Sequence, residues 1–489
     1  MPQLDRRAFV GTVSLAGLAG LTGSAPAAHT VEAAKPGPAE AAPATDVTRT
    51  IARYVVSGSY ADLPPAVCRE ARRTLLNWMG CAVGGSRHEA VDAAISALAP
   101  FSGPPRASVL GRRERMDILN ASLMNGISSH VFDFDDTHLK TVIHPAGPVV
   151  PAILALSEER TVSGKEFLNA MVLGNEVECR IGNAVYPAHY DRGWHITGTT
   201  GVFGSAAASG KLLGLSEQQM VWALGLAATQ PVGLREMFGS MAKSFHPGRA
   251  AQNGLTAAHL AARNFTSAAG GIEGKSGWAN VLSTTQAYGE ITEHLGKTYE
   301  ILLNTYKPFA CGVVIHPAID ACIQIRQEHT LTGDQIARVD LRVHPLVMEL
   351  TGKKTPQTGL ESKFSVYFAA ALALVRGSAG MRDFSDENAR NPAIAALRDR
   401  VTATIDPSIK EDQVRAIVTM KDGRTFDKFV EHAVGSLERP MSDKDLEAKF
   451  MGLAEGVLPP DRARRLMELC WSVETLPSVG ELAAAARVG

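Results

Sequence analysis

From residue 46 to about 300 the chain is patterned almost throughout at the helical period, and its helices carry apolar or small residues around most of their circumference. Pro64-Pro65 opens a helix whose apolar positions Cys68, Ala71, Leu75, Trp78, Met79 and Ala82 follow the 3.6-residue repeat, and Gly84-Gly85 stops it. Ser163 with Glu166 and Ser216 with Gln219 are capping-box signatures, each followed by a broad apolar face. A helix with such a face has to be surrounded on several sides. The chain therefore has to build a large helical domain, not a layer of helices over something else. Glycine supports this: 45 residues of 489 exceed the usual ~7%, and several fall inside the helical patterns, where they allow close helix approach.

The character changes near residue 303. Ile336 to Leu350 alternates like a strand, with Val339, Leu341 and Val343 on one face. Ser365 to Val375 reads as an apolar helix. Val414 to Val430 reads as a hairpin turning at Asp422-Gly423. This predicts a compact α+β domain over 303–439. After Pro440 the helical period returns at Leu446–Leu453 and Ala463–Cys470, so residues 440–489 are expected to rejoin the first domain (46–302) and close it around an inserted lid. The fold class that follows is mainly α, a large all-helical domain built from both chain ends with a smaller inserted α+β lid.

The first residues read as an address. Arg6-Arg7 precede Ala8-Phe9-Val10, a weakly apolar stretch to Gly23 and the small residues Ala25-Pro26-Ala27-Ala28. That is the pattern of a twin-arginine export signal over 1–28, with an Ala- and Pro-rich flexible linker over 29–45. It predicts a periplasmic or otherwise exported protein; without the signal the chain would be cytoplasmic. No apolar run long enough to span a membrane follows it. With 49 basic and 50 acidic side chains there is no global field for nucleic acid or an anionic membrane, so recognition of charge has to be local. Six dispersed cysteines without a CxxC pair read as buried free thiols.

The densest polar segment runs His130-Val131-Phe132-Asp133-Phe134-Asp135-Asp136-Thr137-His138, with His144-Pro145 following. His144 stands before a helix predicted over Pro148–Glu158, whose N-terminus disfavours the imidazolium and leaves a neutral base. Asp135, Asp136, His138 and His144 are also metal-ligand types, so a metal centre is the competing reading. The magnesium motif of terpenoid synthases fails, because Thr137, His138 and Leu139 follow the paired aspartates. Lys243-Ser244-Phe245-His246-Pro247-Gly248-Arg249 and Lys307-Pro308-Phe309, with His316-Pro317 beyond, offer anion capture, with Lys243, Lys307 and His246 as substrate-binding residues. Gly193-Trp194-His195-Ile196-Thr197-Gly198 adds His195. Gly204 to Lys211 fails as a phosphate loop: five residues separate the glycines and Leu212 follows the lysine.

These segments, in this order, resemble the MmgE/PrpD family, whose members dehydrate, decarboxylate or epimerise small carboxylic acids. The matching stretches are Asp133–Thr137 with His144-Pro145, Gly193–His195 with Thr197-Gly198, Lys243–Gly248, Lys307–Phe309 with His316–Asp320, and Glu361–Ser365. The resemblance covers about 46–480. It implies a homodimer and an interdomain active site that uses no metal and no organic cofactor, and it carries over Asp133, Thr137, His144, His195, Lys243 and Lys307. Gly312 and Val313 depart from the Cys and Arg of many relatives, so the lid side of the site is less cationic than a tricarboxylate needs.

Abstraction of a proton α to a carboxylate requires a clamp, a base and an acid. Lys243 and Lys307 are the expected clamp, with His195 in support. Asp133 and His144 are the expected acid/base pair, and Thr137 orients one of them. A lyase, first of all a hydro-lyase, is the reading; an epimerase or decarboxylase follows from the same intermediate. An exported carboxylate-binding protein without turnover would keep the lysines and not need Asp133 or His144. A metal-dependent hydrolase is the remaining class.

Overall fold

Several helices begin where the sequence supplies a side-chain partner for the free N–H groups of the first turn. A computed structural model describes residues 46–488; the signal and linker readings, 1–28 and 29–45, lie outside the described residues. The first half includes α1 (Val47–Ser57), α2 (Pro65–Gly85), α3 (Ile118–His130), α4 (Ala146–Glu159), α5 (Gly164–Val185), α6 (Ile196–Leu213), α7 (Glu217–Ala228) and α8 (Met241–Ala262), beside a helix over Glu89–Leu98 and shorter turns. Asp117 accepts the N–H groups of Leu119 and Asn120 at the start of α3. Ser163–Glu166 and Ser216–Gln219 form complete capping boxes on α5 and α7.

Helix α6 is buried from Ile196 to Gly210, and α4, α5, α7 and α8 all pack on it. Small residues make this possible. At the crossing of α3 and α8, a Cβ on Gly126 would come within 2.4 Å of the Gly248 Cα, so only glycine fits. That crossing sets the end of α3 beside the beginning of α8.

The second half places α9 (His316–His329), β1 (Ile336–Val343), α10 (Val366–Arg376), β2 (Val401–Ile405), β3 (Val414–Met420) and β4 (Thr425–Val430) around one sheet of order β2-β1-β3-β4. β1 pairs parallel with β2 (Val339 opposite Val401) and antiparallel with β3 (Val339 opposite Val418). The β3–β4 hairpin turns at Asp422-Gly423, where Gly423 adopts φ 92°. Val339, Leu341 and Val343 bury against Ile319, Phe368 and Leu372 of α9 and α10. β1 is shorter than the alternation suggested: His344 caps a helix over Pro345–Thr351, and Pro345 at its first position ends the strand.

The chain then forms α11 (Asp443–Ala454) and α12 (Pro460–Trp471). α11 lies on α2, with Phe450 and Leu446 joining Leu75 and Met79 in one core. The described residues belong to one compact unit, mainly helical with this small sheet region. Among them, no helix is long and apolar enough to cross a membrane.

Candidate active site

The acidic loop after α3 is where three parts of the chain meet. Asp133 sits there with φ 51°, a left-handed conformation that Asp tolerates better than most residues. A two-residue antiparallel pairing, Thr137 with Thr305 and His138 with Asn304, brings the 304–309 segment alongside the loop. The α3–α8 crossing brings Lys243. One oxygen of Asp133, Oδ1, therefore accepts from Lys243 Nζ at 3.0 Å and from Lys307 Nζ at 2.7 Å. The three residues are 4%, 7% and 2% exposed, so the ion pairs operate largely out of water.

The surrounding bonds fix the tautomers of two histidines. His130 Nδ1 donates to Asp135 Oδ2 at 2.7 Å, which leaves its Nε2 to accept from Lys243 Nζ at 2.9 Å. His144 Nδ1 lies 2.8 Å from the backbone carbonyl of Asp136; a carbonyl only accepts, so Nδ1 carries the proton and Nε2 the lone pair. Thr137 Oγ1 is 3.4 Å from the same Nδ1, and the backbone N–H of His144 donates to Thr197 Oγ1. His195 and His246 face each other through their Nδ1 atoms at 2.9 Å, one donating to the other.

Burial alone would raise the Asp133 carboxyl, but Lys243 and Lys307 outweigh it and hold it well below the usual carboxylate range. Burial lowers Lys243, with Asp133 opposing the fall. Burial holds His144 well below the usual imidazole value, despite Asp135 beside it. The ring is therefore neutral, and desolvation accounts for it before any effect of the helix terminus. Asp136, buried beside Asp135, is pushed up to about 7.

These groups open on a cleft holding about 480 Å³ of empty space. Six of the seven residues singled out from the sequence line it: Asp133, Thr137, His144, His195, Lys243 and Lys307. His246 does not. Lying three residues after Lys243 on α8, it points at His195 from behind, so its expected contact with substrate is corrected to a contact with His195. Three residues were not singled out. His130 was visible only as part of the cluster. Lys363 Nζ donates to the carbonyls of Phe132 (2.8 Å) and Ala310 (2.5 Å), and Lys449 Nζ to those of Phe134 (2.6 Å) and Lys307 (2.9 Å). With Lys307 bonded to the Asp133 carbonyl, three successive carbonyls of the loop are each held by a different lysine. Lys363 stands inside the Glu361–Ser365 motif, which was its one signal; Lys449 has none beyond its place on an amphipathic helix.

The metal-ligand set considered from the sequence does not assemble. His138 turns to Thr141 and Glu300, and Asp136 Oδ2 accepts from the Ala146 N–H and Asn304. His130, Asp133, Asp135 and His144 do converge at metal-binding distances. In the described structure these groups bond to one another and to lysine: His130 Nε2 and Asp133 Oδ1 accept from Lys243, and Asp135 accepts from His130.

Residues 49–290 match the MmgE/PrpD N-terminal domain and residues 309–473 the MmgE/PrpD C-terminal domain. The chain belongs to the MmgE/PrpD family. The cis-aconitate decarboxylase-like protein oryM of Aspergillus oryzae is 28% identical over 473 residues, covering 91% of this chain and 98% of that one. Human cis-aconitate decarboxylase is 27% identical over 457 residues (88% and 92%), and the 2-methylcitrate dehydratase of Cupriavidus necator 24% over 429 residues (81% and 86%). As a member of the MmgE/PrpD family, the chain is an enzyme.

Proposed function

We propose that this enzyme is a lyase that removes a proton α to a carboxylate of a small carboxylic acid and then expels a leaving group, with water loss as the first reading. The observation that carries it is the pairing, in one buried cleft, of a two-lysine clamp with a neutral histidine whose tautomer leaves Nε2 basic. In this reading the substrate carboxylate sits on Lys243 and Lys307, and His144 Nε2 takes the α-proton. The carbon–hydrogen electron pair forms the double bond as the β-hydroxyl leaves, taking from the His144 imidazolium the proton that ring has just gained, so that water departs and the base is restored. His195, held neutral by burial, hydrogen-bonds the departing oxygen, with His246 orienting that ring. The imidazolium formed on His144 is stabilised by Asp135, whose Oδ1 lies 3.5 Å from Nδ1. The negative charge that builds on the carboxylate is met by the two ammonium groups in the transition state. Asp133 is then the counter-charge that keeps both lysines in place, not the proton-transfer group that its sequence context suggested.

The decarboxylase and dehydratase names of the relatives support a lyase. Decarboxylation or epimerisation uses the same clamp and base, and is the second reading. The reading extends to a cofactor-independent reaction, a homodimer, an α+β part acting as a lid over the helical part, and twin-arginine export. NMR of mono-, di- and tricarboxylates in deuterated water tests the core of it: α-proton exchange that disappears in His144→Gln is the expected result. Stoichiometric Mg²⁺ or Zn²⁺ in purified protein, with exchange lost on chelation, would instead favour the converging ligands His130, Asp133, Asp135 and His144.

A further inference from the structure

The clamp can be counted. An ammonium group has three N–H donors. Lys243 uses one on His130 Nε2 and one on Asp133 Oδ1; Lys307 uses one on Asp133 Oδ1 and one on the Asp133 carbonyl. One donor remains on each lysine, two in all, which matches the two oxygens of a single carboxylate. Charge points the same way: of the carboxylates near the clamp, Asp133 already neutralises one ammonium group by direct contact and Asp135 lies ionised behind His130 and His144, so no positive charge is left over for a second substrate carboxylate.

Among the described residues that line the cleft, no further cation is available for a second carboxylate. Its lining contains no arginine and no third lysine, and much of the remainder is Val142, Val313, Val314, Leu350, Phe238 and Phe364. Buried there, a further carboxylate would lose its hydration without gaining a partner. The surroundings point the same way. A second, larger cavity of about 1100 Å³ shares Val142, Val313 and Val314 with the cleft, and its charged lining is Glu411, Asp412 and Glu438 against Lys140 alone. Lys140 is itself paired with Glu290 at 2.7 Å. An approach through this chamber disfavours polyanions.

We propose that the substrate is a monocarboxylate whose remaining carbon skeleton is apolar, not a tricarboxylate; this rests on the reading of Lys243 and Lys307 as the carboxylate clamp. Val313 is then a specificity-determining residue, since a cation at its position would supply the missing second anion site.

Isothermal titration of the purified full chain tests this. The probes are two monocarboxylates, 3-hydroxy-3-methylbutanoate and 2-methylbut-2-enoate, and two tricarboxylates, citrate and cis-aconitate. Wild type is expected to bind the monocarboxylates about a hundredfold tighter, the scale of an unpaired buried charge. Lys243→Ala should weaken them, and Val313→Arg should narrow the gap by about tenfold or more. The wild-type comparison stands even where Val313→Arg fails to fold. Tricarboxylates binding as tightly as the monocarboxylates, with Lys243→Ala weakening both, overturns the single-carboxylate inference and leaves the clamp intact. Binding indifferent to Lys243→Ala, or no binding of any probe, overturns the clamp and the inference with it.

Discussion

Replacing Asp133 by Asn separates a proton-transfer role from a charge-holding one. The amide keeps the shape of the side chain but removes the carboxylate that directly contacts two buried ammonium groups, 3.0 and 2.7 Å away. Breaking a buried ion pair by removing one partner costs about 3–5 kcal/mol. An Asn carbonyl still accepts one hydrogen bond, which favours the lower end; about 3 kcal/mol corresponds to a loss of roughly 150-fold in kcat/KM. The sign on Lys243 is fixed by the structure. Burial already lowers it and Asp133 is the strongest group opposing the fall, so the variant shifts its pKa further down. A carboxylate binds the charged lysine, so affinity is lost as pH rises through that pKa. The alkaline limb of kcat/KM should therefore move to lower pH in Asp133→Asn, with KM rising along it. The assay is a pH series of kcat and KM on the substrate found by proton exchange, with circular dichroism confirming the fold. An unmoved alkaline limb, with kcat reduced and KM unchanged at every pH, would refute the argument and restore Asp133 as an acid or base.

His144→Gln should lower kcat by ~10²–10⁴-fold with little change in KM. Because burial holds His144 below its ordinary value, the acid limb of the wild-type kcat/KM profile should fall below pH 6.5; a limb above it counts against His144 as the base. Glu178, buried without a hydrogen-bond partner and close to Asp136, is raised well above the usual carboxylate value. The folded chain keeps that proton while the unfolded chain loses it above about pH 4.5, so the contribution of Glu178 to stability falls as pH rises from there. Glu178→Gln should remove this slope and gain more than about 1 kcal/mol at pH 8 relative to pH 4, read from denaturant midpoints; equal slopes would dismiss the assignment. Replacing Arg6 and Arg7 with Lys should retain the protein in the cytoplasm with its activity intact, and an unchanged exported fraction in cell fractionation would rule out the twin-arginine route.

What could be read from the sequence was what the chain decides locally. The capping boxes at Ser163 and Ser216, the Asp422-Gly423 turn and the alternation of Val339, Leu341 and Val343 each depend on neighbours within a few residues, and each forms as the pattern indicates. β2 was missed for the opposite reason. Val401–Ile405 lies at the sheet edge with Thr402, Thr404 and Ile405 incompletely buried, so it lacks a clean alternation, and its parallel partner β1 is about sixty residues away. β1 was read too long because its apolar run continues through Leu346 and Val347, past the proline that converts it to a helix.

The site divides along the same line. A cluster such as His130–His144 and two lysines near aromatics mark chemistry by residue type, but which group holds which follows only from the fold. Lys363 and Lys449 act on backbone carbonyls, and no pattern in a sequence marks a carbonyl that needs a donor. Their burial has a consequence for charge. Burial pushes Lys363 down to about 7 and Lys449 down to about 8, while Asp136 is pushed up to about 7. A neutral amine still has two N–H donors, enough for the two carbonyls that Lys363 holds, so it can release its proton without releasing the loop. Near neutral pH the scaffold can therefore shed much of its own charge. Asp135, kept ionised by the bond from His130 against the cost of burial, faces the base. Lys243 and Lys307 on Asp133 remain as the pair facing the cleft. Two free N–H donors, one on each of these lysines, are left where one carboxylate would bind, and the lysines behind them serve as hydrogen-bond struts for the loop.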